Sequence, residues 1–145
     1  MTAGPALLDV NVLIAVAWPN HEGHAAARAW FGSRSGNGWA STPVTESGFV
    51  RVSSNRRALP TATSPEIALT MLRQLTSMPG HRFWADDVRD VVGEHLDPAT
   101  VLGHRQVTDG HLIALARQHR GTVVTFDAAL ASLAPDDVGV EVLVS

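Results

Sequence analysis

Hydrophobic residues along this chain fall into short runs whose period changes from element to element. Pro5-Ala6-Leu7-Leu8 is a continuous apolar run that ends on Asp9, and it predicts a short buried strand. Apolar residues resume at Val12 and continue to Trp18, which predicts a helix. Asp9 and Asn11 then occupy a strand-to-helix turn, the usual place for a ligand site in an open α/β sheet. His21 to Arg34 is predicted helical, with Ala25, Ala26, Ala29 and Trp30 on one face. Gly32 to Gly38 is a loop of Gly, Ser and Asn, and Trp39-Ala40-Ser41 is a second short strand. Thr42-Pro43 has the chemistry of a helix start, Thr as cap and Pro at the first helical position, and that helix carries Val44, Glu46, Phe49, Val50 and Arg51.

Ser53 to Thr63 breaks regular structure, and Ser64-Pro65-Glu66 opens the next helix, with Ala68, Met71, Leu72 and Leu75 as its apolar face. Met78-Pro79-Gly80 ends it. His81 to Ala85 reads as a third strand, and Asp86 to Glu94 and Pro98 to Leu102 as shorter helical pieces. Val107-Thr108-Asp109-Gly110 opens a helix striped by Leu112, Ile113, Leu115 and Ala116, with Gly121 where a C-terminal Gly belongs. The β-branched run Thr122 to Phe126 predicts a buried parallel strand, followed at once by Asp127, a short helix Ala128 to Leu133, and a last strand Val138 to Val144. The alternation predicts a layered α/β fold, a mostly parallel sheet flanked by helices, in one domain spanning 1–145.

Composition narrows the chemistry. Hydrophobic residues make up 45% and charged residues 17%, a globular balance. No apolar run approaches the ~18 residues of a membrane span, and no basic segment leads an apolar one at the N-terminus, so no secretory signal is expected. There is no Cys, which excludes disulfides, thiol nucleophiles and Cys-based zinc sites and fits a cytoplasmic protein. All 11 basic side chains other than His are Arg, so no mechanism here uses a catalytic Lys. The net charge of −3 does not by itself advertise nucleic-acid binding.

Four acids change that picture. Asp9 follows the first strand, Glu46 lies in the first turns of the helix after the second, Asp109 in the first turn of its helix, and Asp127 after the strand Thr122 to Phe126. Crossover rules place the C-terminal ends of parallel strands, and the helix starts they feed, along one edge of the sheet. Two carboxylates about 4 Å apart repel by roughly 4 kcal/mol at an effective dielectric of 20, so such a cluster persists only with protons or cations. All-oxygen ligands suit Mg²⁺ or Mn²⁺, which polarise phosphate and acidify bound water. The expectation is metal-assisted phosphodiester hydrolysis without a covalent intermediate. Each acid also has a structural alternative: Asp9 or Asn11 capping the first helix, Glu46 complementing a helix dipole, Asp109 as a second cap beside Thr108, Asp127 capping the helix from Ala128. Glu22, Asp86, Asp87, Asp136 and Asp137 read as solvated surface.

The ordered set Leu7-Leu8-Asp9-Val10-Asn11-Val12-Leu13-Ile14, Thr42-Pro43-Val44-Thr45-Glu46, Val107-Thr108-Asp109 and Val124-Thr125-Phe126-Asp127 resembles the PIN-domain ribonucleases, and in length and motif order the VapC toxins of type II toxin–antitoxin pairs. Asn20-His21-Glu22-Gly23-His24 followed by Trp30-Phe31, and Glu46-Ser47-Gly48-Phe49-Val50-Arg51, resemble that group too. The resemblance implies a PIN fold, Mg²⁺- or Mn²⁺-dependent endonucleolytic cleavage of RNA, a VapB-type antitoxin that blocks the site, and commonly a homodimer or a toxin–antitoxin hetero-oligomer. By position, Asp9, Glu46, Asp109 and Asp127 match the catalytic, metal-binding quartet. Asn11, Thr108 and Thr125 match flanking polar positions, expected to orient carboxylates or water.

Arg51, Arg56 and Arg57 are candidates for gripping the RNA backbone, with a solvated loop as the alternative. His21 and His24 have a spacing that can bind a metal, but packing at a helix start is the simpler expectation. His111 is expected to be exposed. Trp18, Trp39 and Trp84 are expected to be core or interface anchors. Competing readings are an aspartyl-phosphate enzyme, which the missing Lys disfavours, a non-catalytic binding module, which the intact quartet disfavours, and a PIN-like nuclease acting on DNA or in other RNA processing.

Overall fold

The computed structural model describes residues 4–89 and 105–145. The strands are β1 (Ala6–Leu8), β2 (Trp39–Ser41), β3 (His81–Phe83), β4 (Thr122–Thr125) and β5 (Gly139–Val142). The helices are α1 (Val10–Ala17), α2 (His24–Arg34), α3 (Pro43–Ser53), α4 (Pro65–Thr76), α5 (Arg105–Gln118) and α6 (Ala128–Leu133). The sheet order is β3-β2-β1-β4-β5, and every neighbouring pair is parallel. Strand order reverses direction at β1, which places a crevice between the β1–α1 and β4–α6 turns, the position where doubly wound sheets bind ligands.

The three inner strands β1, β2 and β4 are short and buried on both faces, which is why β1 reads as an apolar run rather than an alternating one, whereas the edge strands β3 and β5 are partly exposed. Leu8 and Ala6 face a core built with α1 to α4, including Leu13, Trp30, Trp39, Phe49 and Leu72. Leu7 points the other way, onto Ala40, Trp84, Leu112 and Leu115, so α5 covers the opposite face. Ile113, Ala116, Val123, Leu130 and Leu133 join α5 to α6 there. Among the described residues no helix is long and apolar enough to cross a membrane.

Several boundaries differ from the sequence expectation, each for a local reason. Helix α1 begins at Val10, two residues early, because Asp9 caps it. Helix α2 begins at His24, not His21: His21 Nδ1 accepts the Gly23 N–H at 2.9 Å in a tight turn. His24 Nδ1 lies 2.7 Å from the Ala15 carbonyl, so both rings serve the helix start. Residues 86–89 carry no regular structure, and the rest of the two short helices expected between Asp86 and Leu102 lies outside the described residues. Helix α5 already includes Arg105, so Asp109 sits in its second turn and does not cap it. Trp39 and Trp84 are core residues, while Trp18 is half-buried and donates from Nε1 to Ser53 Oγ at 3.1 Å.

The end of α5 inverts the role expected of its glycine. The left-handed position is taken by Arg120, at φ 54°, and Gly121 follows it. Gly121 N–H bonds to the Ala116 carbonyl at 2.8 Å and Arg120 N–H to that of Arg117 at 3.2 Å, the paired closure of a Schellman end. Gly121 is required because a Cβ there would collide with the Pro5 carbonyl beside β1. Two substitutions separate these roles. Arg120→Gly is expected to raise unfolding free energy by about 0.5–1 kcal/mol, and Gly121→Ala to lower it by about 2 kcal/mol through the clash with strand backbone. Urea unfolding followed by far-UV circular dichroism checks both, and a neutral Gly121→Ala would contradict the close approach.

Candidate active site

Asp9 sits one residue beyond β1, and its backbone N–H reaches across to the Val124 carbonyl of β4 at 2.9 Å. Its carboxylate is spoken for on both oxygens: Oδ1 accepts the Val10 N–H and Oδ2 accepts the Thr125 hydroxyl, each at 2.8 Å. Thr125, the last residue of β4, is fully buried. Its oxygen also accepts from Asn11 Nδ2 at 3.4 Å and from the Asp127 N–H at 3.0 Å. Asn11 Oδ1 in turn accepts the Phe126 N–H at 3.2 Å. Asp127 caps α6 through the Ala129 N–H at 2.9 Å. One hydroxyl thus ties the β1–α1 turn to the β4–α6 turn and sets the relative orientation of Asp9 and Asp127. Capping and site membership are not alternatives here, because the cap bond orients the carboxylate.

Asp109 reaches the same edge from α5. Burial, then the charges of Asp9 and Asp127, push its pKa up to about 6. The Asp9 carboxyl is also raised: burial acts most strongly, the Thr125 hydroxyl and Val10 N–H pull it back, and the charge of Asp127 raises it further. Three of the four predicted acids therefore share one electrostatic site although 118 residues separate Asp9 from Asp127.

Glu46 is bonded elsewhere. Its Oε2 accepts the Ser41 hydroxyl at 2.6 Å, and it lines a groove of about 530 Å³ with Arg51, Leu69 and Phe83. The cap of α3 is a box made by Thr42 and Thr45, so Glu46 is not needed for it. Among the described residues, no three acidic or His side chains are drawn together closely enough to ligate one ion directly. Mg²⁺ does not require that: one or two carboxylates with several retained waters suffice. The donor set is all oxygen, and its mutual repulsion is the force a divalent cation relieves.

The remaining candidates divide. Asn11 and Thr125 lie inside the network, whereas the Thr108 side chain is exposed on α5 and takes no part in it. Arg51, Arg56 and Arg57 are exposed. The last two belong to the loop whose Ala58 and Leu59 line a groove of about 320 Å³ together with Asp9, Asn11 and His21.

Sequence reasoning missed Asp86 and misplaced His111. Asp86 is mostly buried: Oδ2 accepts the Val44 N–H at the start of α3 (3.1 Å), and Oδ1 meets His111 Nε2 of α5 at 2.9 Å. His111 is correspondingly mostly buried rather than exposed. This pair joins the helix bearing Glu46 to the helix bearing Asp109. A carboxylate after Trp84-Ala85 carries no periodic signal, and its partner lies 25 residues away, so no local pattern marks it.

Comparisons with known proteins bear on the family and the fold. The PIN domain family profile matches residues 6–135. The chain is 58% identical over 129 residues to Ribonuclease VapC39 of Mycobacterium tuberculosis, covering 89% of this chain and 93% of that protein. It is 49% identical over 129 residues to Ribonuclease VapC38 of the same species, covering 89% of each. Among solved structures, VapBC2 from Rickettsia felis bound to a DNA fragment from its promoter superposes with a TM-score of 0.64 over 96% of this chain and 98% of that one. At 12% identity, that likeness is one of fold.

The raised carboxyls fix a sign for stability. An Asp whose folded pKa exceeds its unfolded one contributes stability below pH ~4 that is lost as pH rises through the folded value. For Asp109 that loss is complete above about pH 6. Because Asp109 is only half-buried, solvent screening reduces the penalty to ~1 kcal/mol. In chelator, Asp109→Asn is therefore expected to be the more stable protein at pH 7.5, by a few degrees in Tm, with the advantage gone below pH 4. An Asn variant less stable than the parent at pH 7.5 would remove the repulsion argument.

Proposed function

This chain belongs to the PIN-domain family, among its VapC-type endoribonucleases, and on that premise we propose that it is the toxin of a toxin–antitoxin pair that hydrolyses RNA at a divalent-metal site held by Asp9, Asp109 and Asp127, with Glu46 completing the acid set. The observation that carries the reading is the Asp9–Thr125–Asp127 network with the Asp109 carboxyl raised by burial and by its two neighbours. Mg²⁺ or Mn²⁺ bound there supplies neutralising charge and Lewis-acid polarisation of the scissile phosphate.

The protein's own groups do the rest. Thr125 and the Val10 N–H hold Asp9 in one orientation, so its oxygens meet a cation without reorganising. Asn11 braces the Phe126 backbone and thereby the turn that presents Asp127. Arg56 and Arg57 stand on the loop beside the groove that Asp9 lines and supply phosphate contacts to the flanking RNA, and Arg51 does so from the neighbouring groove. A VapB-type antitoxin is the natural partner of a chain this similar to VapC ribonucleases, and one solved structure of the same fold is a VapBC assembly on promoter DNA. We place the action in the cytoplasm, consistent with a Cys-free chain.

Two outcomes test this reading. Purified protein should cleave RNA with Mg²⁺ or Mn²⁺ and stop in EDTA, and the added ion should raise Tm above pH 6 far more than below pH 4, where the acids are protonated. Asp9→Asn and Asp109→Asn should each lower cleavage more than ~100-fold and abolish growth arrest on induction while remaining folded. Sequencing of RNA 5′ ends after induction measures the cleavage directly. Undiminished cutting in chelator, or by both variants, would refute the assignment.

A further inference from the structure

Ser41, at the end of β2, is fully buried and stands between two side chains that both meet its single hydroxyl. Glu46 Oε2 lies 2.6 Å from Oγ and His81 Nε2 lies 2.7 Å from it. A hydroxyl has one hydrogen to donate, and an ionised carboxylate can only accept. The Ser41 proton therefore goes to Glu46, and His81 must carry its proton on Nε2 and donate it to Ser41. Donation runs in one direction, from His81 through Ser41 to Glu46.

The imidazole at the head of this relay is itself held. Trp39 packs against His81 with ring centroids 4.6 Å apart, and Phe31 meets Trp39 edge-on at 5.3 Å. Trp39 is fully buried, so the relay is anchored in the core between the sheet and α2. A helix dipole alone would favour a negative charge in the first turn of α3 but would not choose a rotamer for Glu46. The relay chooses one, engaging Oε2 and leaving Oε1 as the oxygen available to a cation or its water.

We propose that Ser41 and His81 are positioning residues for the metal site, which fix the Glu46 carboxylate before the ion arrives. This rests on the reading of Glu46 as part of that site. A long acidic side chain otherwise loses its rotamer freedom when the ion binds, and a bond made in advance removes that cost.

The test is Mn²⁺ binding to the full chain, read from the electron paramagnetic resonance signal of free Mn²⁺ and so independent of any RNA substrate. Ser41→Ala is expected to raise the Mn²⁺ Kd about tenfold, and His81→Leu by a similar factor. His81→Gln, whose amide can donate from nearly the same position as Nε2, is expected to restore most of the affinity, whereas His81→Asn, too short to reach, is not. Because both residues act through one hydroxyl, the Ser41→Ala/His81→Leu double variant should bind no more weakly than either single one. Thermal melting in chelator checks that each variant is folded, and His81→Asn replaces His81→Leu if the latter is not. Glu46→Gln separates the two levels. If it weakens Mn²⁺ binding while folded Ser41→Ala and His81→Asn bind normally, the positioning role is overturned and the metal role of Glu46 stands. If Glu46→Gln binds Mn²⁺ as tightly as the parent, the metal role of Glu46 fails and the positioning role fails with it.

Discussion

Burial of like-charged carboxylates beside one another is the constraint around which this sheet edge is built. Asp9, Asp109 and Asp127 are brought into one electrostatic field, and burial first, then their like charges, raises the carboxyls of Asp9 and Asp109. Such a cluster destabilises a protein until protons or a cation neutralise it. On the proposed reading, function and stability pull against each other at the same atoms, a common arrangement where charge must be concentrated before substrate arrives.

The fold opposes that repulsion with directed hydrogen bonds. Thr125 is the central device: fully buried, it donates to Asp9 and accepts from the Asp127 backbone and from Asn11, so one side chain fastens two strand-to-helix turns. The same logic recurs at the other acids. Ser41 and His81 hold Glu46, and Asp86 with His111 joins α3 to α5. The Asp9 and Glu46 carboxylates are thus each held by a hydroxyl from another element, Thr125 of β4 and Ser41 of β2, which gives them defined geometry rather than leaving them to splay into solvent.

Position in the fold explains why Asp9, Asp109 and Asp127 share one field and the other acids do not. The sheet is wholly parallel, with β1 at its centre, so the turns after β1, β2 and β4 open on one edge. Asp9 and Asp127, placed just after β1 and β4, meet there, and Asp109 joins them from α5. Glu22, in the exposed turn before α2, and Asp137, paired with Arg117 on the surface at 3.0 Å, do not. The groove lined by Asp9, Asn11 and His21 runs to Ala58 and Leu59, in the loop that also carries Arg56 and Arg57.

Local patterns were enough for the strands and most helices, because buried parallel strands are continuous apolar runs and the caps at Thr42-Pro43 and Ser64-Pro65 are written in adjacent residues. They were enough, too, to mark Asp9 and Asp127, whose special position follows from the strand just before them. Asp109 was marked as well, although its place in the second turn of α5 was not. What the sequence could not determine is the set of partners made across the fold. Thr125 reaches Asp9 over 116 residues, His81 reaches Ser41 over 40, and His111 reaches Asp86 over 25. Such pairs have no period and no fixed spacing; they exist only once strand order and helix packing have brought distant segments within hydrogen-bonding distance. Residue types along the chain named the charges, and tertiary structure alone decided which neighbours hold them in place.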